Sequence, residues 1–129
     1  MTLKHFSRSE FDSPDLEGSG DKMSGEFLEK LDEARELAGI PFKINSGYRT
    51  QAYQDDLKRR GYKTSKLRSP HQDGVAADIS VKDSRSRFII INSLLLAGFT
   101  RLGVGKSFIH VDLSINEKHR KNVIWQYDY

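Results

Sequence analysis

The chain contains no cysteine. Disulfides and thiolate metal ligands are therefore excluded, stability must come from packing, and any bound metal must be held by nitrogen and oxygen. The absence also fits a cytosolic site of synthesis. Four histidines are present, so an imidazole-based site can draw only on His5, His71, His110 and His119. No apolar run approaches the roughly 20 residues that cross a bilayer, and Met1 to Arg8 lacks the apolar stretch of a secretory signal. A chain made in the cytoplasm without a signal peptide is expected, any export using another route. At 129 residues the expectation is one domain, 1–129, with an irregular lead-in over 1–20 and no room for a second module. A monomer is expected, and neither an internal repeat nor a low-complexity segment is present.

Net charge is also small, at +3. It is unevenly placed, because Lys58, Arg59, Arg60, Lys63, Lys66 and Arg68 crowd the segment before His71. Such a lip would attract an anionic polymer, or serve only as a solvated loop. Nucleic acid is disfavoured as a partner, since interleaved aromatics and a recognition helix are missing.

What the chain does have is alternation. If Val75 to Val81 is a strand, Val75, Ala77, Ile79 and Val81 share one face, and Ala76, Asp78 and Ser80 the other. Ile109, Val111 and Leu113 likewise form an apolar face, with Phe108, His110 and Asp112 opposite. An unpaired carboxylate in so apolar a strand is costly, so Asp78 requires a metal or a buried cation. With His71 arriving from the loop before the first strand, His71, Asp78 and His110 make three ligands with one open position, the pattern of a catalytic zinc site. His5 and His119 have no converging neighbours and are read as exposed or structural.

The remaining pattern predicts an α+β domain, a small and largely antiparallel sheet packed against helices. Ser24 caps a helix whose Phe27, Leu28, Leu31, Ala34 and Ala38 form one stripe, ended by Gly39 and Pro41. Phe42 to Asn45 reads as a short strand, and Thr50 as the cap of a polar helix reaching about Arg60. Ser84 starts a third helix, stopped by Gly98, whose apolar density predicts burial against the sheet. Phe99 to Leu102, the His110 strand and Val123 to Tyr127 complete the sheet, with a hairpin through Gly103 to Lys106.

At Ser69, His71, Gly74, Ala76 and Asp78 the chain meets a Ser-x-His-x-x-Gly-x-Ala-x-Asp pattern, followed by His110-Val111-Asp112 and preceded by Ser46-Gly47-Tyr48-Arg49. In these three ordered motifs it resembles the M15 zinc peptidases, the D-Ala-D-Ala carboxypeptidase and L-alanyl-D-glutamate endopeptidase group, over roughly residues 24 to 127. The resemblance implies the hedgehog/D-Ala-D-Ala peptidase-like fold, Zn2+ as cofactor, and hydrolysis of an amide in peptidoglycan stem peptides at the bacterial cell wall, as in a phage endolysin. It also implies that Arg49 clamps a substrate carboxylate or polarises the scissile carbonyl, where a surface salt bridge is the alternative. Ser69 is either a turn residue or a donor that orients a ligand; Tyr48 and Gln51 are candidates for the cleft wall. One departure stands out. Relatives place a catalytic acid or histidine shortly before the last ligand, but Gly103 to Ile109 holds no carboxylate and position 108 is Phe. Asp112 is then the candidate for proton transfer, or else a hydrogen-bond partner of a ligand imidazole or of Arg49, with Asp73 in reserve. A catalytically silent, zinc-stabilised wall-binding module is the rival reading.

Overall fold

The computed structural model describes residues 2–64, 68–114, 116 and 118–129. The Ser24 hydroxyl accepts the Phe27 N–H at 3.3 Å and so starts helix α1 (Gly25–Ala38), which Gly39 ends in the left-handed conformation at φ +68°. Its apolar stripe, Phe27, Leu28, Leu31 and Ala34, is fully buried. Strand β1 (Ile44–Ser46) begins two residues later than expected, because Phe42 turns into the core instead. The Thr50 side chain accepts from Tyr53 N–H at 3.0 Å and caps α2 (Gln51–Arg59). Strand β2 (Ala76–Ser80) and helix α3 (Ser84–Leu96) follow, the latter capped by Asp83, whose carboxylate accepts from Ser86 N–H. Strands β3 (Arg101–Val104), β4 (Phe108–Asp112) and β5 (Val123–Gln126) complete the chain.

The five strands lie in the order β1-β2-β4-β3-β5. The sheet is mixed: three pairs are antiparallel, including the β3–β4 hairpin, while β5 runs parallel to β3. Alternation divides the two faces as the sequence predicts. Ala77, Ile79, Ile109, Val111 and Leu102 join α1 and α3 in the hydrophobic core, leaving Asp78, His110 and Asp112 on the other face.

Two expectations need correction. Helix α3 is not buried throughout: Ile90 and Leu94 are in the core, but Phe88, Leu95 and Leu96 are 70%, 46% and 65% exposed. Only one side of the helix meets α1 and the sheet, so apolar residues all round it cannot all be covered. The lead-in over 1–20 is not irregular throughout. It forms short 3-10 turns at Arg8–Phe11 and Ser19–Lys22, and Phe6 and Phe11 enter the core with their rings packed edge to face at 5.3 Å. Among the described residues no helix is long and apolar enough to cross a membrane.

Candidate metal centre

The antiparallel registers place Ser46 beside Asp78, Asp78 beside His110, and His110 beside Gly103, while the parallel pair sets Gly103 beside Trp125. One row of residues thus crosses all five strands on the face away from the core. His71 joins it from the turn before β2. That turn is closed by Gln72 N–H donating to Ser69 C=O at 2.9 Å, and it is tied to the Ser46–Arg49 segment by Arg49 N–H donating to His71 C=O at 3.2 Å.

His71, Asp78 and His110 offer ligand atoms that all lie within 4.8 Å of one another. His71 Nδ1 sits 2.7 Å from the Gly47 carbonyl, which can only accept, so this nitrogen carries the proton and Nε2 presents a lone pair. That lone pair faces Asp78 Oδ1 at 3.5 Å. On the other side, His110 Nδ1 is 2.9 Å from the same Asp78 oxygen, while Nε2 is 2.7 Å from Asp112 Oδ2. Each imidazole therefore turns one nitrogen toward Asp78 and has the other tied behind it, the arrangement that orients metal-ligating histidines. Two nitrogens and one anionic oxygen fit a zinc ion with an open fourth position.

Burial lowers the His71 pKa, the Asp78 charge only partly opposing it, and the ring is neutral as a ligand must be. At His110 burial acts in the same direction, but hydrogen bonds to Asp112 and Asp78 outweigh it and push the pKa up to about 9. Asp78 is held well below the usual carboxylate range: burial alone would raise it, but the two imidazoles overcome that. These shifts set a pH dependence for the chelated protein. Stabilisation from protonated His110 is complete below its ordinary value of 6.5 and lost as pH rises through about 9. His71, shifted the other way from 6.5, costs stability as pH falls below that value, where the unfolded chain takes up a proton that the folded one refuses. Thermal unfolding in excess chelator should accordingly be highest near pH 6.5 and decline on both sides. A melting temperature still climbing from pH 7 to pH 9 contradicts this assignment.

The cleft above the row has a volume of about 810 Å³ and is lined by residues that include Arg49, Ser69, His71, Asp78, His110 and Asp112. Arg49 Nη2 lies 3.5 Å from Asp78 Oδ2, Nη1 3.4 Å from Gln54 Oε1 and Nε 3.1 Å from Ser46 Oγ. The buried Ser69 hydroxyl accepts the His71 backbone N–H at 3.2 Å, holding the turn that carries His71. Tyr48 and Gln51 do not line this cleft: Tyr48 packs against the core, and Gln51 binds Gln72 at 2.7 Å and Asp55 at 2.8 Å. Asp73 is exposed and pairs with Arg68. His5 pairs with Glu36, whereas His119, read as isolated, lines the cleft with Nδ1 2.8 Å from Ser114 Oγ.

The position of Asp112 differs most from the proton-transfer expectation. The residue is 1% exposed and both carboxylate oxygens are engaged, Oδ2 with His110 and Oδ1 with Arg101 Nε at 2.6 Å and Ser114 N–H at 3.0 Å. It stands behind His110, on the imidazole edge opposite Asp78. The basic lip is also less free than its sequence suggests. Arg59 and Arg60 pair with Asp56, Lys63 with Asp128 and Arg68 with Asp73; Lys66 lies outside the described residues.

Missing from the sequence reading is an aromatic wall beside His110. Trp125 and Tyr127 approach its ring at centroid distances of 5.6 and 6.5 Å, and Phe108 and Tyr129 extend the wall, Phe108 lying 5.2 Å from Tyr127. The signal was present as the period-two spacing of Trp125, Tyr127 and Tyr129. The neighbouring strand must make way for it: a Cβ on Gly103 would come within 2.6 Å of the Trp125 indole nitrogen.

A mixed sheet carries a His/Asp/His cluster that could hold a metal ion on its cleft face, with helices behind. Residues 4–112 match the family model described as peptidase M15, and the chain belongs to that family. Membership makes it a metallopeptidase of a zinc-dependent family. No curated protein matches the chain. The matched segment ends at Asp112, so β5 and most of the aromatic wall lie beyond it.

Proposed function

We propose that the protein is a zinc peptidase that hydrolyses an amide bond in peptidoglycan stem peptides at the bacterial cell wall, as a D,D-carboxypeptidase or an L-alanyl-D-glutamate endopeptidase. The observation that carries the reading is the pair of imidazoles, His71 presenting Nε2 and His110 presenting Nδ1 to one Asp78 oxygen. His71, Asp78 and His110 would hold a zinc ion, which when bound would supply Lewis-acid chemistry for the scissile carbonyl and a water of lowered pKa. Arg49, in the same cleft, offers a planar fork to a substrate carboxylate or to the developing oxyanion. Ser69 fixes the turn that aims His71. Asp112 orients His110 from behind; with both oxygens committed, it is a positioning residue rather than the proton shuttle.

One observation favours the second reading, a catalytically silent wall-binding module. Among the described cleft residues no carboxylate is free for proton transfer: Asp78 faces the imidazoles, Asp112 is locked behind His110, and Asp128 is paired with Lys63. Incubation of the zinc-loaded protein with purified sacculi separates the two. The peptidase releases new amino groups, and mass spectrometry of the products identifies the bond cut. Sacculi that bind the protein yet gain no amino groups assign it to the silent module.

A further inference from the structure

We propose that Arg101 is a positioning residue of the metal centre, locking Asp112 so that Asp112 in turn holds His110 with Nδ1 toward Asp78. The inference rests on the metal reading above. It starts from the hairpin register: Leu102 pairs with Val111 and Gly103 with His110, which brings Arg101 alongside Asp112 on the cleft face. The arginine is only 7% exposed, and a buried guanidinium must satisfy its donors locally. Nε donates to Asp112 Oδ1 at 2.6 Å and Nη1 to the Arg120 carbonyl at 2.7 Å, while the guanidinium carbon stands 5.0 Å from the Trp125 ring centroid.

These contacts act on a carboxylate with two jobs. Asp112 Oδ2 receives the rear nitrogen of His110, so any rotation of the carboxylate moves the imidazole edge that faces Asp78. Ser114 N–H alone would leave that rotation weakly restrained; Arg101 adds a charge-assisted bond from a group that is itself pinned twice. A lysine carries the charge but cannot reach Asp112 and the Arg120 carbonyl through one rigid plane while lying on Trp125. The same arginine therefore joins the aromatic strand β5 to the metal centre, although among the described residues it forms no hydrogen bond or ion pair with any of the three candidate ligands.

A purely structural arginine, present only to neutralise a buried carboxylate, makes a different prediction: stability falls, and the folded protein binds metal unchanged. Zinc dissociation constants, measured by chelator competition for wild type, Arg101→Lys, Arg101→Gln, Asp112→Asn and the double variant Arg101→Gln/Asp112→Asn, distinguish them. Melting temperatures of the chelated proteins report folding, and cobalt(II) absorption reports ligand geometry. Both Arg101 variants should bind zinc about 10- to 100-fold more weakly, the range for losing a partner that orients a ligand. The cobalt bands should shift with them. The double variant should bind no more weakly than Asp112→Asn alone, since Arg101 acts through Asp112. Wild-type affinity in both Arg101 variants overturns the proposal, as do losses that multiply in the double variant. If Arg101→Gln does not fold, Arg101→Lys decides, because it retains the charge and tests the geometry alone. A wild-type protein that takes up no zinc removes the metal reading itself, whereas one that binds zinc no better than its Arg101 variants removes only this inference.

Discussion

Asp78→Ala is expected to abolish zinc retention and to lower peptidase turnover by at least about a thousandfold, since a Lewis acid stabilises transition-state charge by several kcal/mol and each 1.36 kcal/mol is a factor of ten. Among the described residues the aspartate is the only anion toward which both imidazoles turn, at 2.9 Å from His110 Nδ1 and 3.5 Å from His71 Nε2. Its removal leaves two neutral donors and brings Arg49, 3.5 Å away, into an uncompensated position beside the metal. A cation would then face a cation, and the charge that favours zinc entry would be gone. Metal analysis after gel filtration, with turnover on the same sample, checks the result. His71→Ala should behave alike by removing one nitrogen ligand. If either variant keeps a full equivalent of zinc, the metal is held elsewhere and the site is wrongly assigned.

Arg49→Lys should separate activity from folding. The arginine contributes little to stability, because its ion pair with Asp78 is long at 3.5 Å, its contact with Gln54 is 3.4 Å, and only the bond to Ser46 is close to ideal. The same looseness leaves the guanidinium free to turn toward substrate. Lysine keeps the charge but loses the planar, two-point fork. Loss of one positioned donor to a developing oxyanion costs about a hundred- to a thousandfold in rate, and turnover should fall within that range. Thermal unfolding should stay close to wild type, because lysine keeps the charge beside Asp78 and the contacts it loses are long. Equal turnover in the variant would make Arg49 a salt-bridge residue and no more.

Much of the architecture was legible because local rules and tertiary packing agree. Ser24 and Thr50 cap their helices in the structure because each hydroxyl satisfies an N–H that the first turn leaves without a partner. The alternation over Val75 to Val81 and Phe108 to Leu113 divides core from cleft because strand geometry leaves no other choice. Where the two levels conflict, local pattern misleads. Helix α3 has enough apolar residues to look buried, yet Phe88, Leu95 and Leu96 stay exposed. The segment before α1 looks like punctuation, yet Phe6 and Phe11 anchor it in the core, and Phe11 C=O accepts the Tyr48 N–H at 2.8 Å, fixing the loop that carries Arg49.

Sequence alone determined which residues offer ligand-type atoms and, for Asp78, His110 and Asp112, which strand face each occupies, since residue type and period-two geometry are local properties. It left the work of those residues open, because that depends on which strands become neighbours. The register of β3 on β4 sets Arg101 against Asp112, and both Asp112 oxygens are thereby engaged behind His110. The parallel return of β5 places Trp125 beside Gly103 and brings Trp125 and Tyr127, which lie outside the histidine and aspartate motifs, against His110. Pairing of this kind is a long-range choice, made as the apolar faces of β2, β3 and β4 are buried together, and no spacing within a single segment encodes it.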